Sequence, residues 1–230
     1  MNEFFQESLF FGMTVSLLAY GAGVWLKKKF RWSFLNPLLL AIVLVILFLK
    51  VFRVDYENYS SSAKYLSYFL TPATVCLAIP LYQQLTLLKE NFKAVILGIV
   101  SGVLASAGSI LLLCLVFGLN HQQYVTLLPK SITTAIGIGV SEELGGITTI
   151  TVAVIIVTGV LGNVIAEAVF KLFRIEEPIA KGLALGTAAH AVGTSKALEL
   201  GEVEGAMSSL SIAVAGILTV VLAPLFAGLL

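Results

Sequence analysis

Residues 94–120 read AVILGIVSGVLASAGSILLLCLVFGLN, 27 positions without one charged side chain. A bilayer's hydrocarbon core is about 30 Å thick and takes about 20 apolar residues as helix. In that medium each backbone amide must find its partner within the segment, so this stretch reads as a transmembrane helix. The same reading extends to residues 8–26, 33–49, 65–88, 147–166 and 205–230. The composition agrees, with 58% hydrophobic and 12% charged residues, against roughly 45–50% and about 25% in soluble domains. Fourteen Lys and Arg and 13 Asp and Glu in 230 residues cannot coat a soluble surface. A soluble enzyme and a disordered protein are excluded. A net charge of +1 also excludes a nucleic-acid binder, which needs a basic excess. Cys76 and Cys114 lie in apolar runs without CxxC spacing, which argues against a disulfide framework or a metal site.

The N-terminal flank is acidic (Glu3, Glu7), and Lys27, Lys28, Lys29 and Arg31 follow the first apolar run. This pattern reads as an anchor with its N-terminus outside, not as a cleaved signal peptide.

The chain resembles itself at an offset of 57. Val100-Ser-Gly-Val-Leu104, Val157-Thr-Gly-Val-Leu161 and Val214-Ala-Gly-Ile-Leu218 are spaced by it, and so are Pro72 and Pro129. Each unit pairs a continuous segment with a broken one, the broken ones being residues 71–88, 129–144 and 178–200. Internal repeats with broken helices are a common plan of secondary transporters. If segment 129–144 crosses the membrane, the loop cations divide six to six. If it dips in and returns, they divide nine to three in favour of the cytoplasm, which the positive-inside rule prefers. The expected fold is an all-α polytopic membrane protein with six transmembrane helices plus two re-entrant or broken segments, built from inverted repeats. Eight full spans are the alternative. Residues 1–64 are expected to form a scaffold and dimer contact, and residues 65–230 a transport core.

Polar residues inside the broken segments carry the chemistry. Lys130, Ser131, Thr133 and Thr134 stand at a Pro-opened helix start. Thr187, His190 and Thr194 share one face if segment 178–200 is a single helix. Helix N-termini carry unpaired N–H groups and partial positive charge. Two such ends with hydroxyls and a cation suit a carboxylate guest. Each residue also has an ordinary reading: hydroxyls can bond back to their own helix, Lys130 can reach a headgroup, and His190 can be a packed core residue. Thr74, in the first unit, is a weaker candidate. Glu199, Glu202 and Glu204 read as a loop at the interface. HExxH, GxSxG and phosphate-loop motifs are missing from the sequence, so no enzyme, cofactor or metal is expected.

At these residues the chain resembles the LrgB/CidB family of bacterial membrane proteins, whose plant relatives include the plastid glycolate/glycerate transporter. The resemblance rests on Phe69-Leu-Thr-Pro-Ala-Thr-Val-Cys-Leu-Ala-Ile-Pro-Leu-Tyr82, Leu128-Pro-Lys-Ser-Ile-Thr-Thr-Ala-Ile136, Gly145-Gly146, Pro178-Ile-Ala-Lys-Gly-Leu-Ala-Leu-Gly-Thr-Ala-Ala-His-Ala-Val-Gly-Thr194 and Glu199-Leu-Gly-Glu-Val-Glu-Gly-Ala-Met-Ser-Ser-Leu210. Ala135 and Ala189 depart from some relatives, which carry Pro and Ser or Gly there. The resemblance implies either transport of small monocarboxylates (pyruvate, glycolate, glycerate) or antiholin/holin-like control of murein hydrolase release and cell lysis. It also implies a small LrgA/CidA-type membrane partner. The physics of the broken segments favours alternating-access transport in the bacterial cytoplasmic membrane. Lys130, Ser131, Thr133, Thr134, Thr187, His190, Thr194 and Thr74 are expected to bind the substrate, and the chain is expected to form a homodimer.

Overall fold

The computed structural model describes residues 10–30, 36–76 and 78–230, with the side chains of Leu70, Thr71 and Thr74 outside that description. Regular structure among the described residues is entirely helical. Chain contacts divide it into two units, residues 1–76 and 77–230.

The first unit holds α1 (Phe11–Phe30), α2 (Pro37–Phe52), α3 (Tyr56–Ala63), a 3-10 segment (Lys64–Phe69) and α4 (Leu70–Cys76). Asn36 opens α2, its side chain accepting from the backbone N–H groups of Leu38 and Leu39. Pro37 follows at the first helical position, where a missing N–H removes no helical bond. α1 packs tightly on α2, since a Cβ on Gly23 would lie 2.6 Å from Pro37 O. It meets α3 through Gly12 N–H donating to Ser62 Oγ at 2.7 Å and a 2.7 Å Ser16–Tyr59 hydroxyl pair.

The second unit runs α5 (Ala78–Gln83), α6 (Leu85–Glu90), α7 (Phe92–Phe117), α8 (His121–Leu127), α9 (Thr134–Glu143), α10 (Thr148–Leu172), α11 (Pro178–Leu200) and α12 (Glu202–Ala227). Among the described residues α7, α10 and α12 are long and apolar enough to cross a membrane. At 1.5 Å per residue they reach about 38–39 Å. Large apolar side chains stay exposed along them, among them Leu112, Val116, Val157, Leu161, Ile217 and Val221. Lipid is the medium that suits such faces. The apolar run 65–88 is not one helix but a chain of short pieces. Pro72 and Pro80 are each the third residue of a piece, and proline is best tolerated in a helix's first turn.

The other two broken segments are interrupted differently. Pro129 follows α8 and its C-cap Leu128, and residues 128–133 turn through Lys130 N–H to Leu127 O and Ile132 N–H to Pro129 O before α9 starts. α11 is interrupted at Ala189 (φ −130°, ψ 17°) and His190 (φ 40°, ψ −136°). Thr187, His190 and Thr194 are therefore not on one continuous helical face, as their spacing suggested. Glu202 and Glu204 also differ from expectation: they open α12 after Gly201, and Glu204 is buried.

The three glycines at the 57-residue offset occupy comparable places. Each lies on a long helix against a residue of a broken segment. A Cβ on Gly102 would lie 3.1 Å from Thr187 Oγ1, one on Gly159 2.6 Å from His190 Nε2, and one on Gly216 2.9 Å from Ile136 Cδ1.

Candidate functional site

Gly98, Gly102 and Ser106 recur every four residues on α7, so they share a face of small side chains. Ala180, Ala184 and Ala188 do the same on the first half of α11. Small residues on both walls leave a groove of about 1000 Å³ between the helices. Asn91 and Glu177 line it at the starts of α7 and α11, and Lys130, Ser131 and Ser106 line it further along. Ser106 is the fifteenth residue of the 26 in α7, near the middle of a spanning helix.

Three polar groups meet there. Lys130 Nζ donates to Ser131 Oγ at 3.0 Å and to Ser106 Oγ at 3.4 Å, and the two serine oxygens are 3.0 Å apart. The turn after Pro129 puts Lys130 and Ser131 beside α7, with Pro129 and Ser131 themselves buried. An ammonium group has three N–H donors, and the serines take two. Among the described residues no carboxylate pairs with Lys130. Glu177 is at the far end, with Asn91 about 22 Å from Ser106 along the α7 axis. A cation at that depth without a counter-charge is costly.

The structure thus brings Lys130, Ser131 and Thr187 to one groove. The Thr187 hydroxyl donates to Leu183 O at 2.7 Å, so it keeps lone pairs but no hydrogen for a guest. His190 and Thr194 are engaged in helix packing. His190 Nε2 lies 2.9 Å from Ile155 O on α10, and because a carbonyl only accepts, Nε2 carries the proton. Thr194 Oγ1 donates to His190 O at 3.1 Å and meets Ser208 Oγ of α12 at 2.7 Å. Thr133 precedes α9 without a side-chain cap bond, and Thr134 is its first residue. The Thr74 side chain falls outside the described residues. No cluster of His, Cys, Asp or Glu among the described residues could hold a metal ion.

Ser106 was not singled out from sequence, although its place in the four-residue series of Gly98 and Gly102 is visible there. A second group that sequence reading missed joins α8, α9 and α10. Ser141 Oγ and Thr151 Oγ1 are 2.7 Å apart, Thr151 Oγ1 donates to Thr126 O at 2.9 Å, and Ile147 N–H donates to Thr126 Oγ1 at 2.8 Å. Gly145 ends α9 at φ 77°, the left-handed region that favours glycine, and Gly146 N–H returns to Ser141 O at 2.7 Å.

A family model described as the LrgB-like family matches residues 16–229. The chain belongs to the LrgB-like family. Proteins named antiholin-like protein LrgB from Bacillus mycoides, Bacillus cereus and Bacillus anthracis are each 43% identical to it over 218 residues, covering 94% of this chain and 95% of each relative. No solved structure matches the chain. The LrgB-like match includes all of the groove residues. Three helices among the described residues, long and apolar enough to cross a membrane, mark a multi-pass membrane protein, and its LrgB homologues are bacterial.

Proposed function

We propose that this LrgB-like protein carries small monocarboxylates across the bacterial cytoplasmic membrane by alternating access. The observation that carries the reading is Lys130, held halfway along the spanning helices by two serines with no carboxylate beside it among the described residues. A carboxylate bound there completes the charge, accepts the remaining Lys130 N–H and accepts from the serine hydroxyls. The groove gives it a route from the Asn91 and Glu177 end. The turn at 128–133 and the break at Ala189–His190 supply the joints at which the broken segments move against α7, α10 and α12. His190 and Thr194 hold the second joint. Six spans with two oppositely entering broken segments fit the loop charges best. The first two helices serve as scaffold and homodimer contact, and a small LrgA/CidA-type membrane protein is the partner.

A second reading is antiholin-like control of lysis, favoured by the names of the Bacillus relatives. Reconstitution separates the two. The purified chain is placed in liposomes with and without the LrgA-type partner, and uptake of labelled pyruvate or glycolate is measured beside leakage of an unrelated dye. Saturable uptake in either preparation without dye leakage supports the carrier. Leakage without saturable uptake in both preparations sinks it.

A further inference from the structure

A recess of about 20 Å³ opens behind the Lys130 site and shares Ser106, Ser131 and Thr187 with the groove. That space holds one group the size of a water or a methyl. Beyond its mouth the walls are Val103, Ala107, Leu128, Leu222 and Ala223 with other apolar neighbours, and Thr219 is the one polar residue among them. A water needs two to four polar partners to settle in a buried site. The mouth hydroxyls already bond to one another, to Lys130 and to Leu183 O, which leaves a water one serine hydrogen and their remaining lone pairs at the mouth. Most of the recess wall is apolar, so burying a methyl-sized group there is favourable.

We infer that the recess takes one methyl-sized apolar group of the bound acid, and that Val103 and Ala223 set the length of chain accepted. The inference rests on the carboxylate reading of the groove. With the carboxylate fixed at the mouth by Lys130 and the serines, the acid's tail points away from the groove into the space behind. Val103 comes from the middle of α7 and Ala223 from the last third of α12, and both are buried. Enlarging either side chain fills the recess, and shrinking Val103 lengthens it.

A homologous series reads this directly. Glyoxylate, pyruvate and 2-oxobutyrate share a carboxylate and a keto group and differ by hydrogen, methyl and ethyl. Uptake of each labelled acid is measured in liposomes holding the full chain with its LrgA-type partner. The wild type takes up pyruvate with kcat/KM about fourfold or more above that for glyoxylate, the value of one buried methyl, and above that for 2-oxobutyrate. Ala223→Val reverses the order of glyoxylate and pyruvate. Val103→Ala, which removes volume and so avoids overpacking, raises 2-oxobutyrate to the level of pyruvate. Lys130→Gln lowers all three together. An unchanged order in folded Ala223→Val and in Val103→Ala overturns the recess while leaving the carboxylate site standing. Saturable uptake of none of the three acids by the wild type overturns both.

Discussion

Ser106 Oγ and Ser131 Oγ lie 3.0 Å apart, one from the middle of a spanning helix and the other from the turn after Pro129, and Lys130 Nζ bonds to both. Two elements 25 positions apart in sequence thus present a cation and two hydroxyls to a groove about 1000 Å³ in volume.

Losing either serine should weaken substrate handling without abolishing it. A hydrogen bond to a charged group contributes roughly 1.5–3 kcal/mol, so Ser106→Ala and Ser131→Ala should each raise KM for the carboxylate about tenfold or more. Thr187→Val should change it less than about threefold by the same reasoning, because that hydroxyl already donates to Leu183 O. Concentration-dependent uptake in liposomes measures all three variants.

Glycines at the 57-residue offset should differ in their tolerance of a methyl group. A Cβ on Gly159 meets the His190 ring, which is held by Ile155 O, whereas one on Gly216 meets only the tip of Ile136. Overpacking typically costs about 1–3 kcal/mol. Gly159→Ala should unfold at a clearly lower temperature in mild detergent, and Gly216→Ala should stay close to the wild type. Equal melting points for the two variants would show that the His190 contact is loose.

Removing one hydroxyl from the buried group between α8, α9 and α10 should cost more than its size suggests. Thr151→Val keeps the shape but takes a partner from Ser141 Oγ and from Thr126 O. Leaving buried polar groups unmatched costs about 1–3 kcal/mol. Denaturation in detergent should show the loss, and Ser141→Ala combined with Thr151→Val should restore part of it.

Sidedness follows from the loop cations. In a background with Cys76 and Cys114 replaced, a cysteine at position 145 should react with an impermeant reagent added outside intact cells. One at position 177 should react only after the cytoplasmic face is opened. Eight full spans give the reverse pattern.

How far the sequence anticipated this site depends on whether the cause was local. The charge-free run at 94–120 needed only length and hydropathy, and α7 occupies residues 92–117 of the chain. Pro129 announced the turn that carries Lys130, because a proline cannot continue the preceding helix. The break at Ala189–His190 had no such mark. Neither residue is Gly or Pro, and His190 takes φ 40° with its ring bonded to Ile155 O, 35 positions away, over a glycine of another helix. A tertiary contact fixes that backbone, so helical spacing alone joined Thr187, His190 and Thr194 on a face they do not share. Ser106 stayed hidden for a related reason. One serine in an apolar helix reads as bonded to its own turn, and only Lys130 and Ser131, arriving from another segment, give it a different partner.

The most direct test is equilibrium binding of labelled pyruvate to the purified chain, with and without an added LrgA-type protein, comparing the wild type with Lys130→Gln, which keeps most of the side chain's length and removes its charge. Saturable binding by the wild type, with affinity falling about tenfold or more in the variant as expected for one lost charged hydrogen bond, is the predicted result. Equal affinity of the two proteins, or no saturable binding by the wild type, would contradict an anion site at Lys130.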